Sequence, residues 1–225
     1  MFHAQVLTLF PEFFDSPLAC SIPKRAIEDG HVVVDCIQIR DFANNKHRNV
    51  DDAPYGGGPG MLMKAEPVVG AVQEARKRQP NTHVVMLTPS GTPFTQQKAL
   101  QYIEKESITL LCGRYEGFDE RIVDYVDEEL SLGDYVLSGG EPAALCVLDA
   151  MIRLLPDVLG SAESAVLDSF SEEGIVDWPH YTRPEEFEGK RVPDVLLSGN
   201  HAKIEAWRLE QSRIRSQQRL ANKEK

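Results

Sequence analysis

Four short apolar runs, HAQVLTLF (3–10), HVVVDCIQI (31–39), HVVMLTP (83–89) and SITLLCG (107–113), constrain this chain's fold more than any other feature. They are rich in β-branched residues, and most are closed by Pro or Gly, so they read as strands buried on both faces. Between them stand AEPVVGAVQEARKR (65–78) and TQQKALQYIEKE (95–106), whose apolar residues recur at helical spacing. Strand and helix in alternation predict an α/β fold on a mostly parallel sheet. Such sheets bind ligands beyond the carboxyl ends of their strands, and those ends carry TPSGTP (88–93), CGRYEGFDE (112–120) and GDYVLSGGE (133–141). Three loops are expected to converge on one pocket.

An apolar helix is expected over 143–155, closed by Pro156, after which 157–177 has six acids and no base. That stretch reads as a linker with an ordered insert. From 178 the chain is Pro-rich and then amphipathic, which predicts a small helical C-terminal domain. The expected division is 1–156, 157–177 and 178–225, and 225 residues with 42% hydrophobic content suit one good core plus an appendage. No basic leader precedes the first apolar residues, and Asp149 and Arg153 interrupt the most apolar later stretch, so neither a signal peptide nor a membrane span is expected. Cys20, Cys36, Cys112 and Cys146 are widely spaced, without a CxxC, inside apolar runs. They are expected as buried cytosolic thiols, not as disulfides or metal ligands.

A net charge of -11 argues against a nucleic-acid partner only if charge is spread evenly. It is not. Between Gly113 and Asp177 there are 16 acids and 3 bases, whereas from His201 onward seven Lys/Arg face three Glu. The basic tail reads either as a solvated helix or as a set of phosphate contacts through Lys203, Arg208, Arg213, Arg215 and Arg219.

LSGGE (137–141) is one letter from the LSGGQ with which cassette ATPases grip nucleotide. The P-loop such an ATPase needs is missing, since the only Gly-Lys pair, Gly189-Lys190, has Pro184 where the first glycine belongs. YGGGPGM (55–61) fails as a dinucleotide fingerprint because Met61 stands at the third glycine. Four glycines in five positions suit a mobile, substrate-facing loop. The paired glycines before Glu141 and Pro142 serve either a tight turn or a ligand loop. CGRYEGFDERI is either a surface ion-pair cluster or a site.

Taken in order, VLTLFPEFF, VDDAPYGGGPGM, LLCGRYEGFDERI, SLGDYVLSGGE, LDSF, PHYTRP and VLLSGNHAKIEAWR resemble the bacterial tRNA (guanine-N1)-methyltransferases. The resemblance runs from the first strand nearly to the C-terminus. It departs after Gln211-Ser212, where relatives continue with an aromatic and Arg-Arg-Pro and this chain has RIRSQQRLANKEK.

The resemblance implies a deep trefoil knot, which sequence reasoning alone would exclude. It also implies a homodimer with shared active sites, a cytoplasmic location, tRNA as substrate and S-adenosylmethionine as methyl donor. Mg²⁺ is a suggested participant. The target would be N1 of the guanosine 3′ of the anticodon, position 37 of the tRNA. By resemblance the donor is held by Leu87, Pro89, Ser90 and Gly91, by Gly113, Tyr115 and Glu116, and by Leu132, Gly133, Asp134, Tyr135, Val136, Leu137, Gly139 and Gly140. LSGGE would then hold a methyl donor instead of a phosphate. Asp168 matches the family's general base, and Arg153 the residue that steadies charge on the guanine O6. Tyr55, Gly57, Gly58, Pro59, Ser169, His180, Arg183, Lys203 and Arg208 are expected to face tRNA. Read without the family, Asp168 is a helix or turn cap and Arg153 a solvated charge. The alternatives are a knotted methyltransferase for another nucleobase and an RNA-binding module without catalysis.

Overall fold

The structure is a computed structural model and describes residues 1–160 and 168–223. Two compact units divide the chain, Met1–Gly160 and Ser161–Lys225.

The first unit is built on five parallel strands, β1 (Phe2–Thr8), β2 (Val32–Gln38), β5 (His83–Pro93), β6 (Ser107–Cys112) and β7 (Glu128–Ser131), in the order β2-β1-β6-β5-β7. A two-residue antiparallel pair, β3 (Asp51–Asp52) and β4 (Leu62–Met63), lies outside this sheet. Helices α1 (Asp15–Leu18), α2 (Ser21–Glu28), α3 (Ala65–Arg78), α4 (Gln96–Ile103) and α5 (Glu141–Ile152) complete the unit. Side chains alternate across the sheet as the pleat requires. Ala4, Val6, Val85, Leu87, Ile108, Leu110 and Cys112 enter one core with α5, and Leu7, Val84, Met86 and Leu111 enter a second with α3. Helix α3 supplies Val68, Ala71, Val72 and Ala75, a one-sided apolar stripe.

The four apolar runs all form strands of the parallel sheet. The fifth strand, EELS at β7, carries no apolar run, because its acids are neutralised locally. Glu128 takes Lys98 at 2.7 Å and His83 at 3.1 Å, and Asp127 accepts the Val84 amide at 2.8 Å. Burial raises the Glu128 carboxyl, but its bonds with Lys98 and His83 win and hold it below its usual range.

The expectation of four buried thiols is corrected. Cys112 is buried and Cys36 partly so, but Cys20 and Cys146 are exposed. Cys146 sits on the solvent side of α5 while Val147 and Leu148 turn inward, and Cys20 is the residue preceding α2. Burial pushes the Cys36 thiol up to about 11. Among the described residues no helix is long and apolar enough to cross a membrane.

The second unit holds a hairpin, Glu186–Phe187 with Lys190–Arg191, whose turn residues Glu188 and Gly189 both have positive φ. A short helix, Asp194–Leu197, and a long one, His201–Lys223, follow. Among its described residues only Ser212 is buried. Val176 and Asp177 are hydrogen-bonded to the long helix, and 161–167, the middle of the expected linker, lie outside the described residues.

Candidate active site

Beyond the carboxyl ends of β5, β6 and β7 the first unit opens a cleft of about 380 Å³, within the range of small-molecule sites. Each wall has a local cause. On β5, Leu87 and Thr92 both register with Leu130 of β7, so residues 88–91 bulge out of the strand toward the cleft. A Cβ on Gly91 would lie 2.3 Å from the Leu130 amide nitrogen, so only glycine lets the bulge rejoin the sheet. After β6 the chain turns through Tyr115, a non-glycine residue at φ 62, a conformation that costs energy and gathers at functional sites.

After β7, residues 132–140 cross the end of β6. The Gly140 amide donates to the Gly113 carbonyl at 2.8 Å, and a Cβ on Gly140 would meet Cys112 Cα at 2.7 Å. Backbone lies on backbone there. Behind the loop, Glu141 opens α5 fully buried. It accepts a hydrogen bond from Thr8 Oγ1 at 2.8 Å and faces Arg114 Nε at 2.9 Å. The Arg114 N–H is not aligned for a hydrogen bond to Glu141, so this contact is an electrostatic pairing. Arg114 also donates to the Ser138 carbonyl at 3.2 Å and lies over the Phe10 ring, which fixes the LSGG turn from below.

Of the residues expected to hold the donor, Leu87, Pro89, Ser90, Gly113, Tyr115, Glu116, Leu132, Gly133, Tyr135, Val136, Leu137, Gly139 and Gly140 line this cleft. Gly91 and Asp134 do not. Gly91 is consumed by packing on β7, and Asp134 is exposed. The CGRYEGFDERI motif meets both of its readings. Glu116, Asp119 and Glu120 line the cleft, and Asp119 also pairs with Arg121 at 2.6 Å, a hydrogen bond that keeps the Asp119 carboxyl below its usual range.

The end of the glycine-rich loop is joined to residues 116–117, which line the cleft, by pairing that no local pattern signals. The Glu116 amide donates to the Met61 carbonyl, and the Met63 amide to Gly117, at 2.9 and 2.8 Å. Gly60 packs on the Glu116 side chain so closely that a Cβ there would clash. Gly57 and Gly58 have positive φ, and Tyr55 is fully exposed at the margin of a second, more open hollow of about 1030 Å³. Gly57, Gly58 and Pro59 line neither cavity.

The remaining expected residues divide between the units. Arg153 caps the C-terminus of α5 and is half-buried. In the second unit Asp168 is half-buried, and its neighbour Ser169 donates to Asp177 at 2.9 Å, while His180 bonds the other Asp177 oxygen at 3.0 Å. Arg183 precedes a cis peptide bond to Pro184, Lys203 stands in the first turn of the long helix, and Arg208 lies over the Trp178 ring. Asp177 went unread in the sequence, although it is the residue on which Ser169 and His180 meet.

The model of the family described as tRNA (guanine-1)-methyltransferase TrmD matches residues 2–223. The chain is 53% identical over 211 residues to the tRNA (guanine-N(1)-)-methyltransferase of Syntrophotalea carbinolica, covering 94% of this chain and 85% of that one. The protein of the same description from a Geobacter species is 54% identical over 204 residues, covering 90% and 82%. That from Shouchella clausii is 51% identical over 215 residues, covering 95% and 88%.

Proposed function

Since the chain belongs to the tRNA (guanine-1)-methyltransferase family, we propose that it methylates N1 of the guanosine 3′ of the tRNA anticodon, position 37, with S-adenosylmethionine as donor. The observation that carries this reading is the three-loop cleft. Glycines at 91, 139 and 140, where a Cβ would collide, bring main chain close enough to line a narrow, shaped site. Leu87, Val136 and Leu137 offer apolar surface, and the carboxylates of Glu116 and Glu129 suit a cationic sulfonium. An RNA-binding module without catalysis would have no use for this cleft.

When bound, the donor supplies an electrophilic methyl group. What the chain must add is position and proton removal. Asp168 accepts the proton leaving guanine N1, and the Arg153 guanidinium steadies the negative charge developing on O6. The main-chain crossing of 132–140 over the end of β6 supports the trefoil threading that the family implies. The exposed side chains of Tyr135, Val136 and Leu137 support a homodimer that completes each site with a second subunit, working where tRNA is, in the cytoplasm. Tyr55, Gly57, Gly58, Pro59, Ser169, His180, Arg183, Lys203 and Arg208 are assigned to tRNA contact. Mg²⁺ is tested by the response of the single-turnover rate to chelation.

The reading is checked by incubating the enzyme with methyl-labelled S-adenosylmethionine and unmodified tRNA and mapping the product. N1-methylguanosine 3′ of the anticodon is expected. Label on another base or position would replace the proposal with the other-nucleobase reading, and no transfer with intact tRNA binding would replace it with the RNA-binding module.

A further inference from the structure

Along the helix His201–Lys223, Arg208, Ser212, Arg215, Ser216 and Arg219 recur at helical spacing, and at about 100° per residue they fall within one narrow stripe. Every one of them is engaged with the segment that follows Asp168. Arg208 lies over Trp178 and Arg219 over Phe170. Ser212 donates to the Val176 carbonyl, Ser216 accepts from the Val176 amide at 3.0 Å, and Arg215 donates to the Asp177 carbonyl at 3.2 Å. Both main-chain groups of Val176 are thus satisfied by side chains of one helix.

The segment passes this constraint back to Asp168. Asp177 holds Ser169 by two bonds, accepting from its hydroxyl at 2.9 Å and donating its own amide to the same oxygen at 3.0 Å. Phe170 is kept at φ 69, an unusual conformation for a non-glycine residue, by its amide bond to the Ile175 carbonyl at 2.7 Å and by Arg219 stacked on its ring. The Ser171 amide closes a turn on the Asp168 carbonyl. Burial in this unit is too slight to do this work, since Ser212 is its only buried described residue.

We infer that this polar stripe is a clasp that sets where the Asp168 carboxylate stands, making Ser212, Arg215 and Ser216 positioning residues for proton removal. The inference rests on Asp168 being the base. It also reassigns Arg215 and Arg219, which charge alone offers to phosphates. Within the part of the chain that departs from the family's pattern, Arg215, Ser216 and Arg219 therefore serve the reaction by holding structure, not by touching tRNA.

The test uses full-length Ser216→Ala, Arg215→Ala and the conservative Ser216→Thr, with Gln217→Ala on the opposite helix face as control and Asp168→Asn as reference. Single-turnover methyl transfer at saturating tRNA is measured beside tRNA KM. A misplaced base costs up to about 100-fold, so the two alanine variants are expected to lose roughly 10-fold to 100-fold in rate with KM within about twofold. Ser216→Thr should keep most of the rate. Fluorescence of Trp178 and Trp207, the only tryptophans, reports whether the unit still folds. A loss confined to KM would overturn the clasp in favour of phosphate contact. Unchanged rates beside a dead Asp168→Asn would overturn the clasp alone, and an active Asp168→Asn would overturn the base on which it rests. Unfolded alanine variants with a Ser216→Thr as slow as they should have been would also count against it.

Discussion

Gly140 and Ser216 hold two backbones in place by opposite means. At Gly140 the chain lies directly on Cys112 and Gly113, and the space for even one methyl group is already filled. At Ser216 a hydroxyl takes the Val176 amide across a unit in which nearly every side chain meets solvent. The cleft is therefore shaped by close packing, which fixes atoms because interiors cannot be compressed. The Asp168 segment is shaped by hydrogen bonds and ring contacts, each contributing about 0.5–1.5 kcal/mol net. The lesson is that the same enzyme should be sensitive to volume in one place and to polarity in the other.

The largest effect that could break this comparison is expected at the crossing loop. Gly140→Ala has no flexible neighbour to displace, so overpacking should cost about 1–3 kcal/mol of stability. The displaced loop should weaken S-adenosylmethionine at least about tenfold, equivalent to 1.4 kcal/mol. Thermal unfolding and calorimetric titration measure the two. Wild-type stability would mean that the crossing is looser than the packing indicates.

Complementation sharpens the contrast. If each site joins one subunit's cleft to its partner's Asp168, mixing a cleft-loop variant that has lost donor binding with inactive Asp168→Ala should restore activity toward about a quarter of wild type, as random subunit exchange allows one intact site in half of the dimers. Mixed dimers that form and stay dead would remove the shared site.

The parallel sheet was legible because its four long strands are dominated by apolar and β-branched residues, and the convergence of three loops follows from where such strands end. Strand β7 was not legible as an apolar run, since Glu128 and Glu129 are matched by Lys98, His83 and Ser90 from elsewhere in the chain. The pairing of Met61 and Met63 with residues 116–119 left no local trace either, because only distant main chain takes part. The stripe from Arg208 to Arg219 has the opposite history. Its period was present in the letters, but positive charge in an acidic protein points first to phosphate, and the serines between the arginines carry no such signal.

A smaller effect separates the bases of that tail. Lys203 and Arg213 are exposed and have no side-chain partner among the described residues. Each phosphate contact contributes about 0.7–0.9 to the slope of log affinity against log salt. Neutralising both should flatten the slope for tRNA by up to about 1.4–1.8, and an unchanged slope would return them to the solvated face.

The smallest effect is acid sensitivity of the second unit. Burial raises the Asp177 carboxyl, yet hydrogen bonds from His180 and Ser169 hold it below its usual range. A depressed carboxyl contributes stability that is complete above the unfolded value near 3.9 and lost as pH falls through the folded one. Tryptophan fluorescence should therefore change below about pH 4 in the wild type, and Asp177→Asn should abolish that step while showing its defect already at neutral pH. A wild-type transition centred above the unfolded value would contradict the sign.

The proposed division between a cleft that holds the donor and a clasped segment that removes the proton is tested most directly on one protein, Asp168→Asn. Shape is kept and basicity removed, so S-adenosylmethionine affinity by calorimetry and single-turnover rate, measured on the same preparation, should part company. The account predicts wild-type affinity for the donor with a rate about 10² to 10⁴ lower, the usual contribution of a positioned base. A rate within a few-fold of wild type, or donor binding lost together with the rate, would contradict it.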